Sequence, residues 1–158
     1  MTAKLFNESE FRNALGRFAS GVTIVTALDG EKTHGMTANA FVSVSLDPPL
    51  VLVSIDNRSK IHRILSGAGR FGVSVLAEDQ RNLSEHFAGR AVREVRFVNR
   101  AGTPVVEGAI AYFVVHVVDV HAAGDHTLYI GCVEHYEARN DKPLLFFGGK
   151  YGQLRGDE

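Results

Sequence analysis

The sequence predicts a mainly β protein with a few short helices (α+β), arranged as a barrel and not as a doubly wound sheet. Three observations predict it: β-branched and alternating segments recur along the chain, helical spacing appears in only two or three short stretches, and strands and helices do not alternate in βαβ order. All 158 residues read as one domain, 1–158, since no repeat, low-complexity tract or linker divides them. That length is enough to bury well over half of the unfolded surface in one core.

Asn7 followed three residues later by Glu10 is a capping-box pattern, and Phe11, Ala14, Leu15 and Phe18 follow at helical spacing until Gly21. A short amphipathic helix is expected there. Val22 to Leu28 predicts a strand that ends at the Asp29-Gly30 turn and returns through Thr33. From Ala40 to Leu46 strict alternation assigns Val42, Val44 and Leu46 to a core face, with Phe41, Ser43 and Ser45 on the other. Asp47-Pro48-Pro49 ends that strand; Leu50 to Ile55 reads as a buried strand turning at Asp56-Asn57, and a helix is expected from about Ser59 to Leu65.

Phe71 to Leu76 predicts another strand, and Gln80 to Ala88 a short helix closed by Gly89. Arg90 to Arg100 is charged and irregular, which predicts an exposed loop, and Gly102-Thr103-Pro104 marks a turn. Ala109 to Val118 reads as a long strand apolar on both faces, Thr127 to Glu137 as another after Gly124-Asp125, and Pro143 to Tyr151 as a final apolar piece.

Composition excludes several function classes. A hydrophobic share of 45% with 22% charged residues is ordinary for a packed domain, and a net charge of -1 supplies no positive field to gather nucleic acid or an anionic membrane. The longest apolar run, Ala109 to Val115, is too short to span a bilayer and no apolar signal core follows Met1, so the chain reads as cytoplasmic. One cysteine, Cys132, excludes an internal disulfide, and its neighbours Ile130 and Val133 suggest a buried strand thiol. His116, in the most apolar strand, reads as a core or interface residue.

Gly67 to Gly72 matches GxGxxG, yet it follows a helix and opens a strand, the reverse of a dinucleotide turn, and so reads as a plain turn. No phosphate loop and no GxSxG elbow is present. His121, Asp125 and His126 have no recognised metal-ligand spacing, and no metal is expected.

The informative stretch is Gly35-Met36-Thr37-Ala38-Asn39-Ala40-Phe41-Val42-Ser43-Val44-Ser45-Leu46-Asp47-Pro48-Pro49. Small residues and an Asn at the entry to a strand let the backbone approach a flat ring, while the amide and hydroxyls can bond its polar edge. By itself this pattern also suits a hairpin whose serine face meets water. Its wording resembles the signature of the flavin reductase-like family with the flavin-binding split β-barrel fold, the small reductases of two-component monooxygenases. The resemblance extends over Phe11 to Val22, Gln80 to Ala88, Gly124-Asp125-His126-Thr127 and Pro143 to Phe147 with Tyr151, in that order along the chain.

The resemblance implies that Thr37, Ala38, Asn39 and Ala40 line the isoalloxazine, that Ser43, Val44 and Ser45 contact the ring edge and ribityl chain, and that Ser54, Ile55 and Asp56 form the adjoining strand edge. It assigns the flavin phosphate to Ser59 and Lys60, which agrees with the separate expectation of a helix start offering free N–H groups and a cation. His86, Phe87 and Ala88 resemble a second loop near the flavin, His126 a residue facing the nicotinamide, and Tyr151 the residue that closes over it. Arg12 and Arg17 read equally as phosphate neighbours or as solvated helix positions.

The implied function is an NAD(P)H:flavin oxidoreductase that takes FMN or FAD and NADH or NADPH, works as a homodimer, and passes reduced flavin to an oxygenase component. No acid or base is required by such a reaction, and His126 is a positioning candidate only. The other readings are a non-catalytic flavin, haem or corrin module on the same barrel, and an oxidase of the pyridoxamine phosphate type, which needs a basic pocket that the sequence does not cluster. Two departures from the family stand out: the charge between Arg90 and Val95, and the absence of a cysteine at Phe113-Val114-Val115.

Overall fold

A computed structural model of the chain describes residues 7–90 and 94–156. Asn7 caps α1 (Glu8–Leu15), its side-chain oxygen accepting from the Ser9 and Glu10 N–H groups at 2.8 and 3.2 Å. Next come β1 (Ser20–Gly21), β2 (Thr23–Asp29) and, after a turn with Gly30 at φ 63°, β3 (Lys32–Ala38). β4 (Phe41–Leu46) and β5 (Pro49–Asp56) form a hairpin, and α2 (Lys60–Ala68) leads into β6 (Arg70–Val75). After α3 (Arg81–Phe87) follow β7 (Phe97–Arg100), β8 (Thr103–Val106), β9 (Ala111–Ala123), β10 (His126–Ala138), β11 (Leu144–Phe147) and β12 (Lys150–Gln153).

The strands form a seven-stranded sheet in the order β3-β2-β6-β9-β10-β5-β4, a three-stranded sheet β1-β11-β12, and a β7-β8 ribbon, with every named strand pair antiparallel. The large sheet curls around Val25, Val53, Ile55, Phe71, Val73, Val115 and Tyr129, each at most 1% exposed, and α2 adds Ile61 and Leu65 to that core. A second apolar cluster joins Val22, Ile24, Leu76, Val106 and Leu144, with Phe87, Phe146 and Tyr151 packed against it. β2 lies between the two, sending Val25 and Ala27 one way and Ile24, next to Val22, the other, which is why it shows no polar face. The mainly β class and the strand-rich reading hold.

Several expectations change. Val42, Val44 and Leu46 are 51%, 46% and 96% exposed, and Phe41 is the β4 residue packed against the core. β4 is the last strand of its sheet, a bulge between Ser43 and Ser45 breaks the alternation, and among the described residues its outer face stays exposed. The helical stripe is likewise unburied: Phe11, Leu15 and Phe18 are 47%, 60% and 85% exposed.

The expected loop from Arg90 to Arg100 contains β7, with 91–93 outside the described residues, and the turn falls at Ala101-Gly102, not at Thr103-Pro104. Buried hydroxyls hold this ribbon: Thr26 Oγ1 donates to Pro104 O at 2.5 Å, and Ser74 Oγ accepts from Val106 N–H at 2.9 Å. The long strand expected at Ala109 to Val118 runs instead from Ala111 to Ala123, and its distal half is exposed. His116 is no core residue; its half-exposed ring has Nδ1 3.1 Å from the Glu134 carboxylate, which also receives Arg70 at 3.0 Å. Cys132 is only half-buried. The GxGxxG segment is the expected turn, with Gly69 at φ 69° closing α2 before β6.

Gly131 sits at a bulge where a Cβ would strike the Val115 side chain and lie 2.9 Å from the His116 carbonyl oxygen. Gly131→Ala should therefore lower stability by about 1–3 kcal/mol in denaturant titration. Gly67→Ala, in open space within α2, should raise it by about 0.5–1 kcal/mol.

Candidate functional site

β3 and β4 meet at the Asn39-Ala40 corner. Ala40 O accepts from Ser54 N–H at 3.1 Å, Thr23 Oγ1 donates to Ala38 O at 2.5 Å, and the Phe41 ring rests 5.6 Å from that of Phe113. Asn39 and Ala40 are exposed on this rigid base, and among the described residues the Asn39 side-chain amide makes no protein hydrogen bond. Ala38 is buried, and Ile55 points into the core with no exposed surface, so within Ser54-Ile55-Asp56 only Ser54 and Asp56 present side chains outward.

From Ser54 the strand runs two residues, about 7 Å, to Asp56. Both Asp56 carboxylate oxygens receive Arg58: Oδ1 from its backbone N–H at 2.8 Å and Nε at 3.2 Å, Oδ2 from Nη2 at 2.9 Å. These bonds hold the carboxyl well below the usual carboxylate range. The loop is also laced to the β9–β10 turn: Asn57 N–H donates to Asp125 O at 3.0 Å, and Thr127 Oγ1 donates to Asn57 Oδ1 at 2.6 Å. Ser59 then caps α2, its Oγ donating to Asp56 O at 2.8 Å and accepting from His62 N–H at 3.2 Å. The N–H groups of Lys60 and Ile61, in the first turn, have no intrahelical acceptor, and the Lys60 side chain is exposed beside them. This end suits an anionic group.

His126 stands opposite Asp56 in the β10–β5 register. Its Nδ1 lies 2.7 Å from Asp125 Oδ1, and this bond lowers the Asp125 carboxyl. With Nδ1 engaged there, Nε2 of the 42% exposed ring is left for a ligand. Ser43 and Ser45 pair with Val51 and Leu50, so they run along β4 away from Asp56, and the Asn39-Ala40 corner lies between the serines and Ser59.

A second group lies on the β3 side of the corner. Thr37 Oγ1 donates to Ser84 O at 2.7 Å, and that carbonyl also accepts from Ala88 N–H at 3.1 Å. Ser84 Oγ is 2.8 Å from Tyr151 Oη. The Tyr151 ring meets Phe146 edge-on at 5.4 Å and carries the Arg81 guanidinium 4.9 Å above its face. A Cβ on Gly35 would fall 2.6 Å from the Phe87 ring, so the first glycine of the signature admits a side chain of the protein itself. The His86 ring packs edge-on against Phe87 at 4.8 Å.

Thr37, Ala88 and Tyr151 thus converge through Ser84, which sequence reasoning missed. The available signal was a small hydroxyl three residues from both Arg81 and Phe87. A cavity of about 870 Å³ borders the corner, lined by Asn39, Ala40 and Val42 with Arg12, Arg17 and Phe146. Another, of about 820 Å³, brings Arg81, Lys142 and Arg155 around Tyr151 together with Glu78, a basic cluster that the separation of these residues in sequence hides. No group of three or more metal-ligating side chains occurs among the described residues.

The family described as "Flavin reductase like domain" matches residues 15–155. This chain belongs to that family. A flavin reductase of Rhodococcus sp, named as NADH-dependent, is 53% identical over 148 residues, covering 90% of this chain and 84% of the relative. The reductase component of 4-hydroxyphenylacetate 3-monooxygenase from Thermus thermophilus is 43% identical, covering 91% and 95%. The solved structure of flavin reductase PheA2 superposes with a TM-score of 0.92 at 45% identity, covering 96% and 100%. The split-barrel expectation is thereby met by a flavin reductase fold.

Two outcomes are expected for this flavin reductase-like chain. Gly35→Val should displace α3 and lower stability by about 1–3 kcal/mol in denaturant titration. Arg58→Ala should return the Asp56 carboxyl toward the usual carboxylate range in an NMR titration. Because the folded carboxyl is depressed, its contribution to stability is present above the ordinary carboxylate pKa of about 4 and fades as pH falls below it; the variant loses the part the guanidinium supplies and keeps the part from the backbone N–H of residue 58.

Proposed function

We propose that the chain reduces FMN or FAD with NADH and hands the reduced flavin to an oxygenase component. The observation that carries this reading is one continuous strip: the exposed Asn39-Ala40 corner, bonded through Ala40 to Ser54, continues along β5 to Asp56 and the open N–H groups at the start of α2. A flat ring and a terminal phosphate joined by a polyol chain need a wall, an edge and an anion site in that order.

Thr37, Asn39 and Ala40 form the wall for the ring, Ser43 and Ser45 lie toward its outer edge, and Ser59 with Lys60 takes the phosphate. The Thr37 hydroxyl proton is committed to Ser84 O, so toward a ligand its oxygen only accepts. His126 and Tyr151 face the nicotinamide, His126 offering Nε2 to the carboxamide. A bound flavin supplies the hydride acceptor, so the side chains align two rings and exclude water without moving a proton. The curated relatives at 53% and 43% identity are named as reductases, which favours this reading over a non-catalytic module and over an oxidase acting on a phosphorylated amine.

The chain acts in this reading as a homodimer in the cytoplasm. α1 buries no side chain within its own chain, and Phe18, Val42, Val44 and Leu46 are exposed together with Val118 and Val120, apolar surface that a second copy covers. No helix among the described residues is long and apolar enough to cross a membrane.

Mixing the protein with NADH and free FMN or FAD should give steady loss of nicotinamide absorbance; absence of turnover with both flavins sinks the reductase reading. Asn39→Trp should abolish flavin binding and turnover while leaving the circular dichroism spectrum unchanged. Gel filtration should show a dimer, and Phe18→Glu combined with Leu46→Glu a monomer.

A further inference from the structure

α3 spans two sheet edges that no backbone pairing joins. β3 ends the seven-stranded sheet and β12 ends the three-stranded one. Arg81, Ser84 and Phe87, spaced three apart, hold the two edges to each other. Toward β3, Phe87 fills the notch at Gly35 and Ser84 O accepts the Thr37 hydroxyl at 2.7 Å. Toward β12, Ser84 Oγ meets Tyr151 Oη at 2.8 Å and the Arg81 guanidinium covers the Tyr151 ring. Ser84 has no exposed surface, so its hydroxyl has no water to exchange for Tyr151.

We infer that Ser84 is a positioning residue that fixes Tyr151 relative to the flavin-facing strand β3 and thereby sets the affinity for NADH without touching either cofactor. The inference rests on the proposed role of Tyr151 in closing over the nicotinamide. A tyrosine has two side-chain torsions; a partner at the hydroxyl and a cation on the ring face together restrain both. The two bonds of Ser84 use different atoms. The Thr37 bond ends on the backbone carbonyl and survives loss of the side chain, whereas the Tyr151 bond ends on the hydroxyl and does not. Removing that hydroxyl releases Tyr151 while leaving β3 attached to α3, so the effect falls on the nicotinamide and not on the flavin.

The test is steady-state kinetics of Ser84→Ala with NADH and FMN, alongside flavin affinity by fluorescence quenching and thermal melting. KM for NADH should rise between about twofold and tenfold, the range of one net hydrogen bond, with kcat and flavin affinity unchanged. Tyr151→Phe removes the same bond from the half-buried side and should raise KM for NADH similarly, while thermal melting reads the separate cost of leaving the buried Ser84 hydroxyl unpaired. The double variant should show no further rise, because both changes delete one interaction. An unchanged KM in Ser84→Ala or in Tyr151→Phe, or additive effects in the pair, overturns the inference. Tyr151→Ala separates this failure from that of the underlying reading: if it leaves KM for NADH unchanged, the nicotinamide role of Tyr151 falls and the inference with it. If Tyr151→Ala raises KM and Ser84→Ala does not, only the role of Ser84 falls.

Discussion

One curled sheet has to keep water from its inner face, and its most deeply buried β-branched and aromatic side chains serve that closure. Val25, Val53, Ile55, Phe71, Val73, Val115 and Tyr129 come from five different strands, and each has at most 1% of its surface exposed. Burial of this kind is worth about 1.5–3 kcal/mol per large side chain and is the dominant favourable term in such a fold. A sheet has two faces, however, and among the described residues α3, the β7–β8 ribbon and the small sheet cover part of the outer one. The rest of that outer face remains apolar and exposed, at Val42, Val118 and Val120 among others.

Polar seams join the pieces that closure leaves apart. Thr26 and Ser74 hold the ribbon, Asn57 and Thr127 tie the loop before α2 to the β9–β10 turn, and Ser84 ties α3 to two sheet edges. Each is a small hydroxyl or amide whose partner lies far away in sequence. A buried hydroxyl without its partner costs about 1–3 kcal/mol, so these contacts specify one arrangement of the parts more than they add to the total stability.

The same seams shape the candidate site. The Asn39-Ala40 corner is rigid because its carbonyl groups are already bonded, and the start of α2 is placed beside His126 because Asn57 reaches across to Asp125 and Thr127. Arg58 is engaged by Asp56, which leaves Lys60 and the backbone N–H groups as the donors at that end. The arrangement supplies surfaces and orientation, and hydride transfer between two cofactors asks for little else.

The mainly β class, most strand positions, the Asn7 and Ser59 caps and the helix after Asp56 were legible in the sequence, because alternation, capping residues and turn residues act within a few positions of one another. The resemblance carried by Gly35 to Pro49 pointed to the family, and membership followed from the match over residues 15–155. Three things were decided only by the tertiary structure. Alternation from Val42 to Leu46 says that two faces differ but not which one meets a neighbour, and the edge position of β4 put the apolar face outside. Gly35 looked like room for a ligand, and the approach of α3 from about fifty residues away turned it into room for Phe87. Ser84 had no local pattern to mark it, since its meaning comes from Thr37 and Tyr151, brought to it by β3 and β12. Short-range chemistry fixes an element; which surfaces of two elements meet depends on how the whole sheet closes.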